Sequence, residues 1–245
     1  MDSQHASVET TLRIPGDWAD PGELIQRLPE GYRLTGELLV LPDGTEIEFF
    51  PMQPDDQFAQ IFQSSCRHPA TSEELAVVSR YTVNVGLCGP GGSLDAARTM
   101  LRAGAAIIQA GGAGVFIDNS ALAHGGQLWV DMAEDGSPDA ASYAFVSMSG
   151  GERDLRTMGM HVLGYPDLVM RHDDLEVDTE LLVEVVRYVS RGEKPIGDGH
   201  LLCDEHGPRY QAMAISGDRF PPGSPMHNPY GRLKLVSIKD IAEGN

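Results

Sequence analysis

A chain of 245 residues with 41% hydrophobic and 22% charged side chains is long enough to bury a substantial core and too apolar to stay disordered. Its formal charge of -18, with no local cluster of Lys and Arg, repels a phosphate backbone and argues against nucleic acid as a partner. The most apolar run, residues 103–117, is interrupted by glycine, carries Gln109 and falls short of the roughly 20 residues that cross a bilayer, so no membrane partner is expected.

The N-terminal residues lack a basic region followed by an apolar one, so no secretory leader is expected. Three cysteines, Cys66, Cys88 and Cys203, are an odd number without CxxC spacing, which suits a reducing, cytoplasmic setting better than a disulfide framework.

In chain order, residues 8–14 alternate as a strand does. Asp20, Pro21 and Glu23 then supply an N-cap, a helix-compatible proline and an acidic N3 residue for a short helix to about Leu28. Apolar runs at 38–41 and 45–49 flank Pro42, Asp43 and Gly44, which predicts a β-hairpin. Phe58, Ile61 and Phe62 repeat at helical spacing, and Thr71 with Glu74 forms a capping box ahead of Leu75 and Val78.

A buried strand is predicted over 81–88, then a glycine-rich turn and a helix capped by Ser93 with Asp95 near its positive end. Leu94, Ala97, Leu101, Ala105 and Ile108 form one stripe, Gly111 ends the helix, and 115–117 makes the next strand. Two strands joined by such a helix run parallel with a right-handed crossover.

Further on, the pattern predicts a helix over 120–133, an acidic Gly-Ser-Pro loop and antiparallel strands near 142–148 and 155–163. Asp178 is placed to cap a helix with Leu181, Leu182, Val185, Val186 and Val189 on one face, ending before Gly192. Strands near Leu201 and at 210–215, a proline-rich loop and a strand at 233–238 complete the chain. The sum is an α+β fold: a mixed sheet with a central β-α-β unit and packed helices, preceded by an N-terminal β-α-β-β-α region. The expected division is an N-terminal α+β region, 1–75, packed on a main α+β domain, 76–245.

The feature most like a ligand cradle is the turn at 89–93, where Gly91, Gly92 and Ser93 lead from a strand into a helix N-terminus that aims N–H groups at an anion. Asp118 stands where a ribose-binding carboxylate would. The dinucleotide fingerprint fails in detail, since Leu94 falls where its last glycine belongs, and a tight turn needing glycine geometry accounts for the same residues. Asp118, Asn119 and His124 bring acid, amide and imidazole chemistry near that turn, although Asp118, Asn119 and Ser120 also read as a helix N-cap region.

His200, Cys203 and His206 are metal-ligand types without metal-site geometry, and 204–208 reads as a hairpin turn. His161, in a predicted strand, reads as a half-buried structural histidine. Cys88 lies where a helix N-terminus lowers a thiol pKa, but no partner base is identifiable and a packed cysteine suffices. Signatures for serine, zinc-hydrolase and SxxK chemistry are missing.

Three stretches carry a family resemblance: TVNVGLCGPGGSLDAARTMLRAGAAIIQAGGAGVFID from Thr82, RTMGMHVLGYPDLVMR from Arg156, and ELLVEVVRYVSRGEKPIGDGHLL from Glu180. Together they resemble, over about the last two thirds of the chain, an uncharacterised bacterial family catalogued as domain of unknown function 4261. The glycine-rich turn and the segment DNSALAHGG depart from its pattern. The resemblance implies a compact bacterial domain and brings no activity, cofactor or site residue with it.

The residues therefore point first to a non-enzymatic module binding a protein or a small ligand, an accessory or immunity-like factor. The alternative is an enzyme or a nucleotide- or phosphate-binding protein with its pocket at Gly91, Gly92 and Ser93, joined by Asp118, Asn119 and His124. Neither a cofactor nor an oligomeric state is specified by the residues.

Overall fold

The computed structural model describes residues 8–172, 175–192, 196–204, 207–217 and 219–243. The alternation near the N-terminus forms β1 (Glu9–Gly16), which buries Leu12 and Ile14 completely. Asp20 caps α1 (Pro21–Arg27) by accepting the N–H groups of Gly22 and Glu23. The predicted hairpin is β3 (Leu38–Val40) with β4 (Glu46–Met52), turned by Gly44 at φ 85°. A three-residue strand, β2 (Arg33–Thr35), pairs with β3 and adds one strand to the predicted N-terminal order.

Next come α2 (Phe58–Ser65) and α3 (Ser72–Val78), the latter with both reciprocal bonds of the Thr71 and Glu74 capping box. Ser93 caps α4 (Leu94–Gln109), which follows β5 (Val83–Pro90) and leads to β6 (Gly114–Ile117). These strands belong to a seven-stranded sheet ordered β2-β3-β4-β5-β1-β6-β7, where β7 is Leu122–Gly125. Each neighbouring pair is antiparallel, so β5 and β6 are parallel to each other with β1 inserted between them. The predicted β-α-β unit thus exists in split form. Strands from both sides of residue 75 interleave in this sheet.

The helix predicted over 120–133 is corrected at its start. Residues 118–121 turn the chain, with Ala121 at φ 51°, and β7 pairs back on β6 from Ile117↔Leu122 to Gly114↔Gly125. All four residues of β7 are buried, and pairing with β6 gives their backbone groups partners that water does not supply there. Only then does α5 (Gly126–Asp135) begin.

The strand predicted near 142–148 is replaced in its first half by α6 (Pro138–Phe145). Ser137 accepts the Ala140 N–H as N-cap and Pro138 occupies the first turn, a start signal that outweighs the local strand pattern. Then β8 (Ser147–Gly150) and β9 (Asp154–Met158) pair antiparallel, as the sequence indicates. The strand predicted to Leu163 stops at Met158, because Gly159, at φ 100°, turns the chain into a 3-10 turn over Met160–Leu163.

After β10 (Asp167–Arg171), α7 (Leu175–Ser190) starts before Asp178, which therefore lies inside the first turns instead of capping them. The chain ends through β11 (Leu201–Asp204), β12 (Gly207–Ile215), β13 (Arg232–Ser237) and α8 (Ile238–Glu243). These strands form a second sheet ordered β11-β12-β13-β10-β9-β8, made mixed by the parallel pair β10 and β13.

The architecture is α+β with both strand orientations. One buried cluster runs from Leu12 and Val85 in the first sheet through Trp129 and Phe145 to Leu168 and Leu235 in the second. A smaller one, with Phe58, Phe62, Phe116 and Ala123, fills the opposite side of the first sheet beneath α2 and α3. Within the described residues no helix is long and apolar enough to cross a membrane.

Candidate functional site

The insertion of β1 brings most of the sequence-nominated residues to one end of the first sheet. On the β5 side, Gly91 N–H donates to Val8 O at 2.8 Å and Gly92 N–H to Val162 O at 2.9 Å. Ser93 Oγ accepts from Ala96 N–H at 3.1 Å. The amides of the two glycines are thereby engaged within the protein. Glycine is needed here for close approach: a Cβ at Gly91 would stand 2.8 Å from Thr10 Oγ1, and Gly92 has φ 81°.

On the β6 side, Arg13 Nε–H donates to both oxygens of Asp118, at 2.7 and 3.0 Å. Burial raises the Asp118 carboxyl pKa and Arg13 opposes that rise. Asn119 is fully buried: its Oδ1 accepts Thr11 N–H at 2.9 Å, and its Nδ2 donates to Glu9 O at 2.9 Å and Pro225 O at 3.0 Å. His161 Nε2 lies 3.1 Å from the same Nδ2 and 3.0 Å from Pro225 O. The half-buried strand histidine of the sequence reading is instead a buried member of the 3-10 turn. Asn119 therefore knots together β1, the turn before β7 and the loop ahead of β13.

His124 makes none of these contacts. It sits within β7 opposite Val115, fully buried, with Nε2 3.0 Å from Ala144 O and its ring centroid 6.0 Å from Trp129 and 5.9 Å from Tyr143. Burial pushes its pKa down to about 3, so it is a neutral imidazole whose Nε2–H donates to Ala144 O. Its Nδ1 has no partner among the described residues.

A different place has the geometry of a site. The edge strands β7 and β8 of the two sheets meet where Ser147 Oγ–H donates to Ser120 O at 2.8 Å. Between this seam, α6 and α7 lies a cleft of about 590 Å³, lined among others by Cys66, Arg67, Ser120, Tyr143, Ser147 and Val183. Ala121, also in the lining, is the one non-glycine residue at positive φ among those described, a conformation costing an L-residue about 1–2 kcal/mol. The buried Ser120 Oγ finds no hydrogen-bond partner among the described residues.

Arg67 follows α2, where its N–H reaches Ala123 O at 3.3 Å. Its Nη1–H donates to Tyr143 O at 2.8 Å, its Nη2–H donates to Val146 O, and its guanidinium carbon stands 4.6 Å from the Tyr143 ring centroid. Burial lowers its pKa, but a guanidinium keeps its proton. Sequence reasoning passed over Arg67 and Tyr143, because only the fold brings residues 76 positions apart into contact.

His200 and Cys203 are both exposed, and His200 Nδ1 accepts Gly197 N–H; His206 lies outside the described residues. Among the described residues, no three His, Cys, Asp or Glu side chains are grouped to hold a metal ion. Cys88 departs from the lowered pKa considered for it: burial raises it first, and the Glu9 and Glu48 carboxylates add to that.

No family model, curated protein or solved structure matches the chain. Fold and cleft together define an α+β protein of two sheets whose edges meet at a solvent-accessible pocket.

Proposed function

We propose that the chain is a small-ligand-binding module that takes its ligand in the cleft between the two sheets. The observation that carries this reading is the cleft itself: about 590 Å³, within the 300–1,000 Å³ typical of ligand sites, at the seam of two sheets and bordered by a strained residue. Strained backbone at a concave surface supports a binding role, since folding alone favours its relief.

The lining favours holding a ligand over attacking it. Among the described lining residues there is no imidazole, and burial together with the Glu74 carboxylate pushes the Cys66 thiol up, away from a reactive thiolate. The turn at Gly91 and Gly92 supports the alternative pocket less well, because both amides already have acceptors.

A thermal-shift screen of small metabolites tests the reading, with Val183→Trp as the control that fills the cleft from a partly exposed position. A true ligand at a hundredfold excess over its Kd stabilises the wild type by about 2.7 kcal/mol. It leaves the folded Val183→Trp variant unmoved. Compounds that stabilise both proteins equally, or a screen without hits, contradict the proposal.

A further inference from the structure

We infer that the ligand of the inter-sheet cleft is an anion, a small carboxylate or phosphate ester docked on the Arg67 guanidinium. This inference rests on reading the cleft as a ligand site.

The chain carries 36 acidic against 18 basic side chains, so an arginine here meets carboxylates at every turn. Arg187, which lines the cleft, is paired with Glu184 at 3.2 Å, and Asp139, the acid in the lining, is gripped by Arg191 at 3.0 and 2.8 Å. Arg67 differs. Among the described residues no carboxylate lies within ion-pair distance of it, and both of its acceptors are backbone carbonyls at the C-terminal end of α6. That helix end offsets roughly half an elementary charge, which leaves Arg67 a source of positive potential facing the cleft.

Its orientation is fixed as well. Two N–H groups hold carbonyls and the guanidinium lies over the Tyr143 ring, so the other three of the five have no acceptor among the described residues. A planar fork held in place suits the paired oxygens of a carboxylate or phosphate and loses little freedom on binding. Serines complete the lining; at one of them, Ser120, a residue 1% exposed, the buried Oγ has no hydrogen-bond partner among the described residues. A hydroxyl buried without a partner is costly until a ligand oxygen or a water meets it.

Calorimetric titration at low ionic strength with citrate, glycerol 3-phosphate and, as neutral control, glycerol tests the inference on wild type, Arg67→Lys and Val183→Trp. One or both anions are expected to bind wild type and glycerol is not. Arg67→Lys keeps the charge but not the fork, and weakens binding at least tenfold. Val183→Trp, which leaves Arg67 and its two carbonyl bonds intact, abolishes binding and keeps the question answerable if Arg67→Lys fails to fold. Undiminished anion binding by Arg67→Lys overturns the inference, as does binding of only neutral screen hits; the cleft reading survives either result if Val183→Trp still blocks its ligands. Equal binding of every ligand by Val183→Trp overturns both.

Discussion

Arg67 grips Tyr143 twice: its Nη1–H donates to the Tyr143 carbonyl at 2.8 Å while its guanidinium carbon stands 4.6 Å from the centroid of the same residue's ring. One cation thus ties the chain after α2 to the end of α6, and the first sheet's edge to the helix that walls the cleft. Arg67→Met keeps the apolar stem and removes both carbonyl bonds, so unfolding free energy is expected to drop by about 2 kcal/mol. A urea midpoint equal to that of the wild type would contradict this.

His124 sets a pH dependence. The folded protein refuses its proton until pH about 3, whereas the unfolded chain accepts it below about 6.5. The stability His124 lends is therefore complete above pH 6.5 and is lost as pH falls, by about 1.4 kcal/mol per unit. Between pH 6.5 and 5, before most carboxylates titrate, His124→Gln should flatten the slope of unfolding free energy against pH. Parallel slopes for the two proteins would place the titrating group elsewhere.

Asn119→Asp turns a donor into an acceptor facing Glu9 O and Pro225 O. The loss at neutral pH is expected to be on the order of 3 kcal/mol, since a buried carboxylate would oppose carbonyl oxygens. Its folded-state pKa would be raised, so the deficit should shrink as pH falls and a protonated carboxyl donates again. A deficit constant from pH 7 to 4 in thermal melts would count against this geometry.

Gly104→Ala pits two effects against each other. Alanine favours a helix interior by about 1 kcal/mol. A Cβ there would stand 2.6 Å from Nε1 of Trp129, which is fully buried and bonded to Leu101 O at 3.1 Å. Overpacking costs about 1–3 kcal/mol, so net destabilisation is expected; a raised melting temperature would show that Trp129 moves aside.

Local chemistry made several elements legible. Ser93 with the stripe of α4, the Thr71 and Glu74 capping box, and the Asp43-Gly44 hairpin all appear as their residues indicate. What stayed hidden depends on pairing between distant segments. Nothing near Leu12 reveals that it will lie between Leu87 and Ile117, and the segment Leu122 to Gly125 becomes a strand only because β6 is there to pair with it. Ser137 and Pro138 start α6, but Gly-Ser-Pro is equally the chemistry of a loop, so the helix is not legible from those residues alone.

The candidate site followed the same division. Gly91, Gly92, Asp118 and Asn119 do gather, on the two flanks of β1, with hydrogen bonds to backbone carbonyls and to Arg13. The cleft, by contrast, is built from α2, β7, α6, β8, β9 and α7, and Arg67 in its wall carries no motif.

The most direct measurement is the ¹⁵N-¹H spectrum of the arginine side chains during a citrate titration. The Arg67 Nε–H resonance should move and saturate together with the backbone amides of Ser120 and Ala121, and stay still in Val183→Trp. Shifts confined to exposed arginines such as Arg80, with Arg67 unmoved, would contradict an anion in the cleft.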